Sequence, residues 1–148
     1  MNNVMEIQAA NNHLSNLRFV VSSSLRILNL SRNKISDFVL TENDFPNLQK
    51  LVLDFNNIRV VESLSHNSLR VLSLANNQIK VVRELALKQL VELNLSYNSI
   101  TELDMKLVRC YSLTRLDLCR FVSLLSLQSN TMAFYTQGNV PALMVFAR

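Results

Sequence analysis

The two histidines and two cysteines of this sequence have the chemistry of a general base, a nucleophile or a metal ligand. They are His13, His66, Cys110 and Cys119, and a working site needs such groups held close together. The histidines occupy unrelated positions, and the cysteines do not form a C-x-x-C pair. We therefore expect both histidines to be solvated turn residues and Cys110 to be a small core residue. We predict no enzyme, no metal site and no cofactor.

Composition argues against two further functions. Gly138 is the only glycine among the 148 residues, whereas a phosphate-binding loop needs several glycines to bring its backbone amides close to phosphate. The net charge of +4 is spread along the chain among acidic residues, and nucleic-acid binding usually needs a clustered basic face. We therefore expect no nucleic-acid partner.

The sequence shows no targeting or membrane segment. Its first residues, MNNVMEIQAANN, lack the basic segment and apolar run of a signal peptide. No stretch reaches the ~18 uninterrupted apolar residues expected of a membrane helix. A cytoplasmic protein without a membrane span is the expectation.

An internal repeat accounts for most of the chain. A pattern of alternating apolar residues followed by an asparagine starts at residues 4, 25, 48, 69, 90 and 113, so that the starts lie 21 to 23 residues apart. The sixth copy fails, with Phe121 at the asparagine position and Ser123 at the last apolar position. The five complete copies are VMEIQAANNHL (4–14), LRILNLSRNKI (25–35), LQKLVLDFNNI (48–58), LRVLSLANNQI (69–79) and LVELNLSYNSI (90–100).

The alternation within each copy has the period of a β-strand. Leu72 and Leu74 of the fourth copy would point to one face, and Val71 and Ser73 to the other. A single copy cannot bury its apolar face alone, so the copies must stack. The pattern resembles that of the leucine-rich-repeat family, which is L-x-x-L-x-L-x-x-N/C-x-L.

This resemblance implies an α/β fold, a right-handed solenoid of β-α units with a parallel β-sheet on its concave face. The return segments hold only 10 to 12 residues, so we expect short helical or 3-10 turns on the convex face. The spacing resembles the cytosolic class that includes phosphatase regulators. The second copy, with ISDFVLTENDFPNLQKL, is closer to the longer type of Toll-like receptor ectodomains.

An asparagine follows each strand at a fixed position. Where the chain turns inward, backbone groups lose their sheet partners, and an unpaired buried polar group costs about 1–3 kcal/mol. An asparagine amide supplies both donors and an acceptor. We therefore predict a structural ladder of stacked side chains, formed by Asn12, Asn33, Asn56, Asn77 and Asn98.

The repeat domain is predicted to span residues 4–118. Residues 119–148 hold only two charges, Arg120 and Arg148, and are expected to form a degenerate repeat or an irregular tail. The stretch VSLLSLQSNTM (122–132) matches the pattern again, but it starts too soon after the sixth copy to close another coil. The abrupt ends predict a fragment of a longer solenoid, whose uncapped terminal strands are open to self-association.

Stacked strands would display the residues that lie between the leucines. Aromatic side chains with charged neighbours on such a surface are typical anchors for a protein partner, and Phe55 and Tyr97 have this character. We predict a non-catalytic protein-interaction module; a fragment of a pattern-recognition receptor and a phosphatase-regulatory subunit are the alternatives. The predicted partner-binding set is Arg32, Lys50, Asp54, Phe55, Asn76, Glu92, Tyr97 and Arg115.

Overall fold

Short parallel strands recur once per repeat and stack into one sheet. The computed structural model describes residues 3–17, 22–103, 110–119 and 144–146. Each repeat holds a three-residue strand centred on the first residue of its L-x-L stretch, which pairs in parallel with the strand of the next repeat, and one further strand completes the sheet. In sheet order the strands are β1 (Glu6–Gln8), β2 (Ile27–Asn29), β3 (Lys50–Val52), β5 (Val71–Ser73), β7 (Glu92–Asn94), β9 (Arg115–Asp117) and β10 (Met144–Phe146).

The register of this seven-stranded sheet follows the repeat. Leu28 lies opposite Leu51, which lies opposite Leu72, and the column continues through Leu93 and Leu116. A one-residue slip would turn every leucine to the other face, so the alternating pattern determines the pairing. The predicted parallel-strand solenoid is confirmed.

The core lies on one side of the sheet and runs along the whole stack. Leu28, Leu51 and Leu72 each have an accessible fraction of 0%, while their neighbours in the same strands are half-buried or exposed. The return segments close the core from the other side, with Val61, Val82 and other apolar residues packed against the leucines. Each coil therefore buries its leucines only because two neighbouring coils cover them.

The convex side differs from the expectation of short helical or 3-10 turns. Two-residue strands β4 (Val60–Val61), β6 (Val81–Val82) and β8 (Glu102–Leu103) form a second parallel sheet there. The described return residues, which exclude 18–21 and 104–109, contain no helix. Paired valines explain the extended backbone, because β-branched side chains favour strands over helical turns.

The seventh strand, β10, is not anticipated by the repeat. It pairs in parallel with β9, with Val145 opposite Leu116. The sequence instead indicates residues 122–132 as the next match to the pattern, and that stretch lies outside the described residues, as does most of the predicted tail at 119–148. In the described parts of the chain, no helix is long and apolar enough to cross a membrane.

The two histidines differ in their surroundings. His13 is exposed, as expected, but His66 is fully buried, so its prediction as a solvated turn residue is wrong. The ring Nδ1 of His66 accepts the N–H of Ser68 at 3.2 Å, which leaves its Nε2–H to donate to the carbonyl oxygen of Phe45 at 3.0 Å. His66 thus links two return segments by satisfying backbone groups of both.

Truncation of a central leucine tests this inside–outside assignment. We expect Leu72→Ala to lower the free energy of unfolding by about 2–5 kcal/mol, because it opens a cavity between two coils. Lys50→Ala, at an exposed position of the adjacent strand, should change it by less than about 0.5 kcal/mol. Urea unfolding of both variants measures the difference, and equal losses would contradict the assignment.

Candidate functional site

The concave surface is held in shape by a column of buried asparagine side chains. The Nδ2 group of Asn77 donates to the carbonyl oxygens of Leu53 and Leu74, each at 3.0 Å, and of Ala75 at 3.2 Å. Its Oδ1 accepts the N–H of Ile58 at 3.0 Å. One amide therefore satisfies backbone groups of its own coil and of the preceding one.

The same arrangement recurs along the solenoid. Asn33, Asn56 and Asn98 also donate to the strand end of their own coil and to the preceding coil. Each accepts a backbone N–H from the coil before it. Asn12 differs, because it is exposed and donates only to the nearby carbonyl oxygens of Ala9 and Ala10.

The residue before each of these asparagines adopts a left-handed backbone. All five of these positions have φ between 54° and 58°, although none is a glycine. Left-handed geometry costs an ordinary residue roughly 1–2 kcal/mol, and asparagine tolerates it better than bulky residues do. The residues are Asn11, Arg32, Phe55, Asn76 and Tyr97.

Four of these positions form an edge of the concave face that we call the rim: Arg32, Phe55, Asn76 and Tyr97. Phe55 and Tyr97 are large side chains with accessible fractions of 46% and 48%. They lie two coils apart, which corresponds to about 10 Å at the usual spacing of strands. The guanidinium carbon of Arg32 lies 4.7 Å from the centroid of the Phe55 ring, a cation–π geometry that orients both side chains.

A shallow groove of about 290 Å³ lies beside the rim and crosses β3, β5, β7 and β9. Lys50, Val71, Glu92 and Arg115 occupy the same register position on these four strands. The groove is therefore basic at both ends of this row, with an acidic group and an aliphatic side chain between them. Asp54 also lines the groove. The structure therefore brings together four residues of the predicted partner-binding set: Lys50, Asp54, Glu92 and Arg115.

Asp54 has a structural contact that the sequence analysis missed. Its Oδ1 accepts the hydroxyl of Ser73 at 2.6 Å and the backbone N–H of Ala75 at 2.9 Å, both in the next coil. Asn29 and Asn94 perform a similar task within their own coils, where each Oδ1 accepts the hydroxyl of Ser31 or Ser96 at 2.7 Å. Polar groups at the last strand residue, such as Asn94, and two residues beyond it, such as Asp54, thus brace the strand ends as well as lining the surface.

The predicted set is also incomplete on the groove floor. Four additional lining residues are the last residues of β3, β5, β7 and β9, and they were not singled out, since alternation shows which face they occupy but not where the surface is concave. They are Val52, Ser73, Asn94 and Asp117, and Val71, Leu72 and Leu93 also line the groove.

The remaining reactive side chains have surroundings typical of structural residues. Cys110 is buried, and this burial raises the pKa of its thiol to about 11, so the group stays protonated at neutral pH. Cys119 is half-buried just beyond β9, where its backbone N–H donates to Asp117 Oδ1 at 3.0 Å. No group of three metal-binding side chains occurs among the residues that the structure describes.

Comparison with family models agrees with this geometry. A model described as leucine-rich repeats in two copies matches residues 67–105, and a single leucine-rich-repeat model matches residues 21–37. Residues 21–37 and 67–105 are thus identified as leucine-rich repeats. No curated protein matches the chain. The matched leucine-rich repeats include the rim residues Arg32, Asn76 and Tyr97, and they are typical of protein-interaction modules, generally without enzymatic activity.

The asparagine column of the leucine-rich repeats is tested by comparing its centre with its end. Asn77→Ala should lower the free energy of unfolding by about 1–3 kcal/mol, because it leaves buried backbone groups of two coils unpaired. Asn12→Ala removes an exposed amide with local contacts only, so we expect a loss below about 0.5 kcal/mol. Chemical denaturation of the two variants is the measurement, and a larger loss for Asn12 would contradict the column.

Two substitutions at Phe55 separate the energetic cost of its left-handed backbone from the contribution of its side-chain contacts to stability. Phe55→Gly should keep the free energy of unfolding within about 1 kcal/mol of the parent chain, because relief of the left-handed strain offsets the added freedom of the unfolded state. Phe55→Val keeps an apolar side chain but places a β-branched residue at positive φ, and should be less stable than Phe55→Gly by about 1–2 kcal/mol. Thermal and urea unfolding rank the two variants; the reverse order would show that the cost of the left-handed backbone is smaller than the gain from keeping an apolar side chain at this position.

Proposed function

We propose that this leucine-rich-repeat protein is a non-catalytic module that binds a protein partner on its concave surface and rim. The observation that carries the proposal is the placement of Phe55 and Tyr97, half-exposed on strained backbone beside the groove. Backbone strain that a glycine would relieve is a feature of functional positions. The aromatic side chains at these two positions therefore supply something that a glycine cannot.

Recognition by this surface requires little ordering. The rim backbone is bonded to the neighbouring coil: the N–H of Phe55 donates to the carbonyl oxygen of Ala75 at 2.9 Å, and that of Tyr97 to Cys119 at 2.9 Å. The buried Asn56 and Asn98 hold the turns that follow. A partner would meet aromatic anchors that are already positioned, which reduces the entropy lost on binding.

Charged side chains of the groove provide specificity in this proposal. Lys50 lies at one end of its row, and Glu92 and Arg115 lie on adjacent strands at the other. Such an arrangement favours a partner with complementary charges and disfavours others, with a larger effect on association rate than on affinity. Asp54 contributes charge here in addition to bracing Ser73.

The class of leucine-rich-repeat protein is a narrower part of the proposal. The repeat length favours the cytosolic class that includes phosphatase regulators. A receptor fragment would instead be secreted, and its sequons at Asn29 and Asn94 would carry glycan. Both asparagines accept a hydrogen bond from the hydroxyl of their own sequon serine in the folded chain. Measuring the intact mass of the natural protein shows whether glycan is attached and thereby distinguishes the two classes.

The rim is tested by a double substitution that respects its backbone. Phe55→Gly with Tyr97→Gly removes both rings while keeping residues that favour positive φ. We expect affinity for a captured protein partner to fall by at least about 30-fold, since hot-spot side chains are worth about 2 kcal/mol or more each. Affinity capture from cell extract followed by calorimetric titration of the captured partner measures this loss.

Tyr111→Ala is the matched control for this experiment. Tyr111 is an aromatic residue with an accessible fraction of 63% in a return segment, away from the rim. Its substitution should leave the affinity unchanged. If the double glycine variant binds as tightly as the parent chain, the rim is not part of the binding site. If Tyr111→Ala lowers the affinity as much as the double substitution does, the contact is non-specific.

A further inference from the structure

Strand β1 pairs along one edge only among the residues that the structure describes. The carbonyl oxygen of Met5 accepts the N–H groups of Arg26 and Ile27 at 2.8 and 3.0 Å, and the N–H of Ala9 donates to Asn29 at 2.8 Å. Alternation along the strand therefore points the backbone groups of Glu6 and Gln8 away from β2. Among the described residues, β1 is the last strand on this side of the sheet.

The apolar end of the core is also uncovered beside this edge. Ile7 occupies the column of Leu28 and Leu51, which are fully buried, but Ile7 itself is only partly buried. Val4 and Met5 have accessible fractions of 41% and 46%. Unpaired backbone groups beside exposed apolar side chains are a template for pairing with another chain.

We propose that a second copy of this chain pairs with β1 in antiparallel orientation, about a two-fold axis through Ile7. Glu6 of each copy then lies opposite Gln8 of the other, and Ile7 packs against Ile7. This surface is separate from the rim, so the contact goes beyond the proposed function. It joins two solenoids into one sheet that presents two binding surfaces.

The register follows from the side chains on this strand. Only alignments that place even-numbered residues opposite one another join the outward-facing backbone groups. The register that places Glu6 opposite Glu6 sets like charges directly against each other, which is unfavourable. The register that places Gln8 opposite Gln8 loses the contact between the isoleucines. The chosen register instead sets the Glu6 carboxylate beside a Gln8 amide, a pair that already bonds within one copy at 2.7 Å.

A matched pair of substitutions at one position tests the contact. Gln8→Pro removes an outward N–H without touching the backbone bonds from β1 to β2, and Pro is tolerated on such edges. Gln8→Ala keeps that N–H, and both variants lose the bond from Asn29 Nδ2 to the Gln8 side chain. We expect the parent chain and Gln8→Ala to sediment as dimers, and Gln8→Pro to dimerise at least about tenfold more weakly than Gln8→Ala, with the same unfolding midpoint at protein concentrations where both variants are monomeric. A parent chain that stays monomeric, or a Gln8→Pro variant that dimerises equally well, overturns the proposal.

Cross-linking determines the register independently of stability. Glu6→Cys and Gln8→Cys are made separately in a Cys119→Ser background and treated with a short thiol-reactive cross-linker. Mixing the two variants should give cross-linked dimers that neither variant gives alone, because residue 6 faces residue 8. Cross-linking of Glu6→Cys or Gln8→Cys by itself would establish a different register and overturn the proposed one.

Discussion

The fold depends on satisfying the backbone at the turn that follows each strand. A parallel solenoid must leave its sheet once per coil, and every departure buries N–H and C=O groups that no strand can pair. Asn77 resolves this with three donated bonds and one accepted bond, shared between two coils. The leucine core supplies the driving force for stacking, but the amides determine where each coil turns and how it joins the next.

This turn also explains why the rim is a surface of unusual side chains. The left-handed residue before each asparagine points outward, and its geometry is imposed by bonds on either side rather than by its own preference. A chain with a single glycine therefore places Arg32, Phe55 and Tyr97 where glycine would be least strained. At these positions the hydrogen bonds of the asparagine column keep the backbone in its left-handed conformation. The same geometry turns the side chain outward, where it can contact a partner.

The predictable part of the structure is the part with strict periodicity. Alternation at Leu72 and Leu74 determines face and register, so the six repeat strands and the core could be read from the residues. The second sheet could not, because Val60–Val61 and Val81–Val82 are too short to show a period. The burial of His66 and the bracing contact of Asp54 could not be read for another reason: their contacts reach Phe45 and Ser73 in other coils, and such distances in sequence leave no local signal.

Differences between the middle and the end of the stack follow from the same nearest-neighbour physics. Every internal coil is completed by two others, so Leu51 and Asn56 have all their contacts supplied by the repeat. At β1, strand pairing among the described residues is on one side only, Ile7 is partly buried and Asn12 is exposed. The two proposed contacts therefore use different parts of the stack. In these proposals, side chains between the leucines bind a partner across the middle coils, whereas backbone groups and core residues at the end pair with another strand.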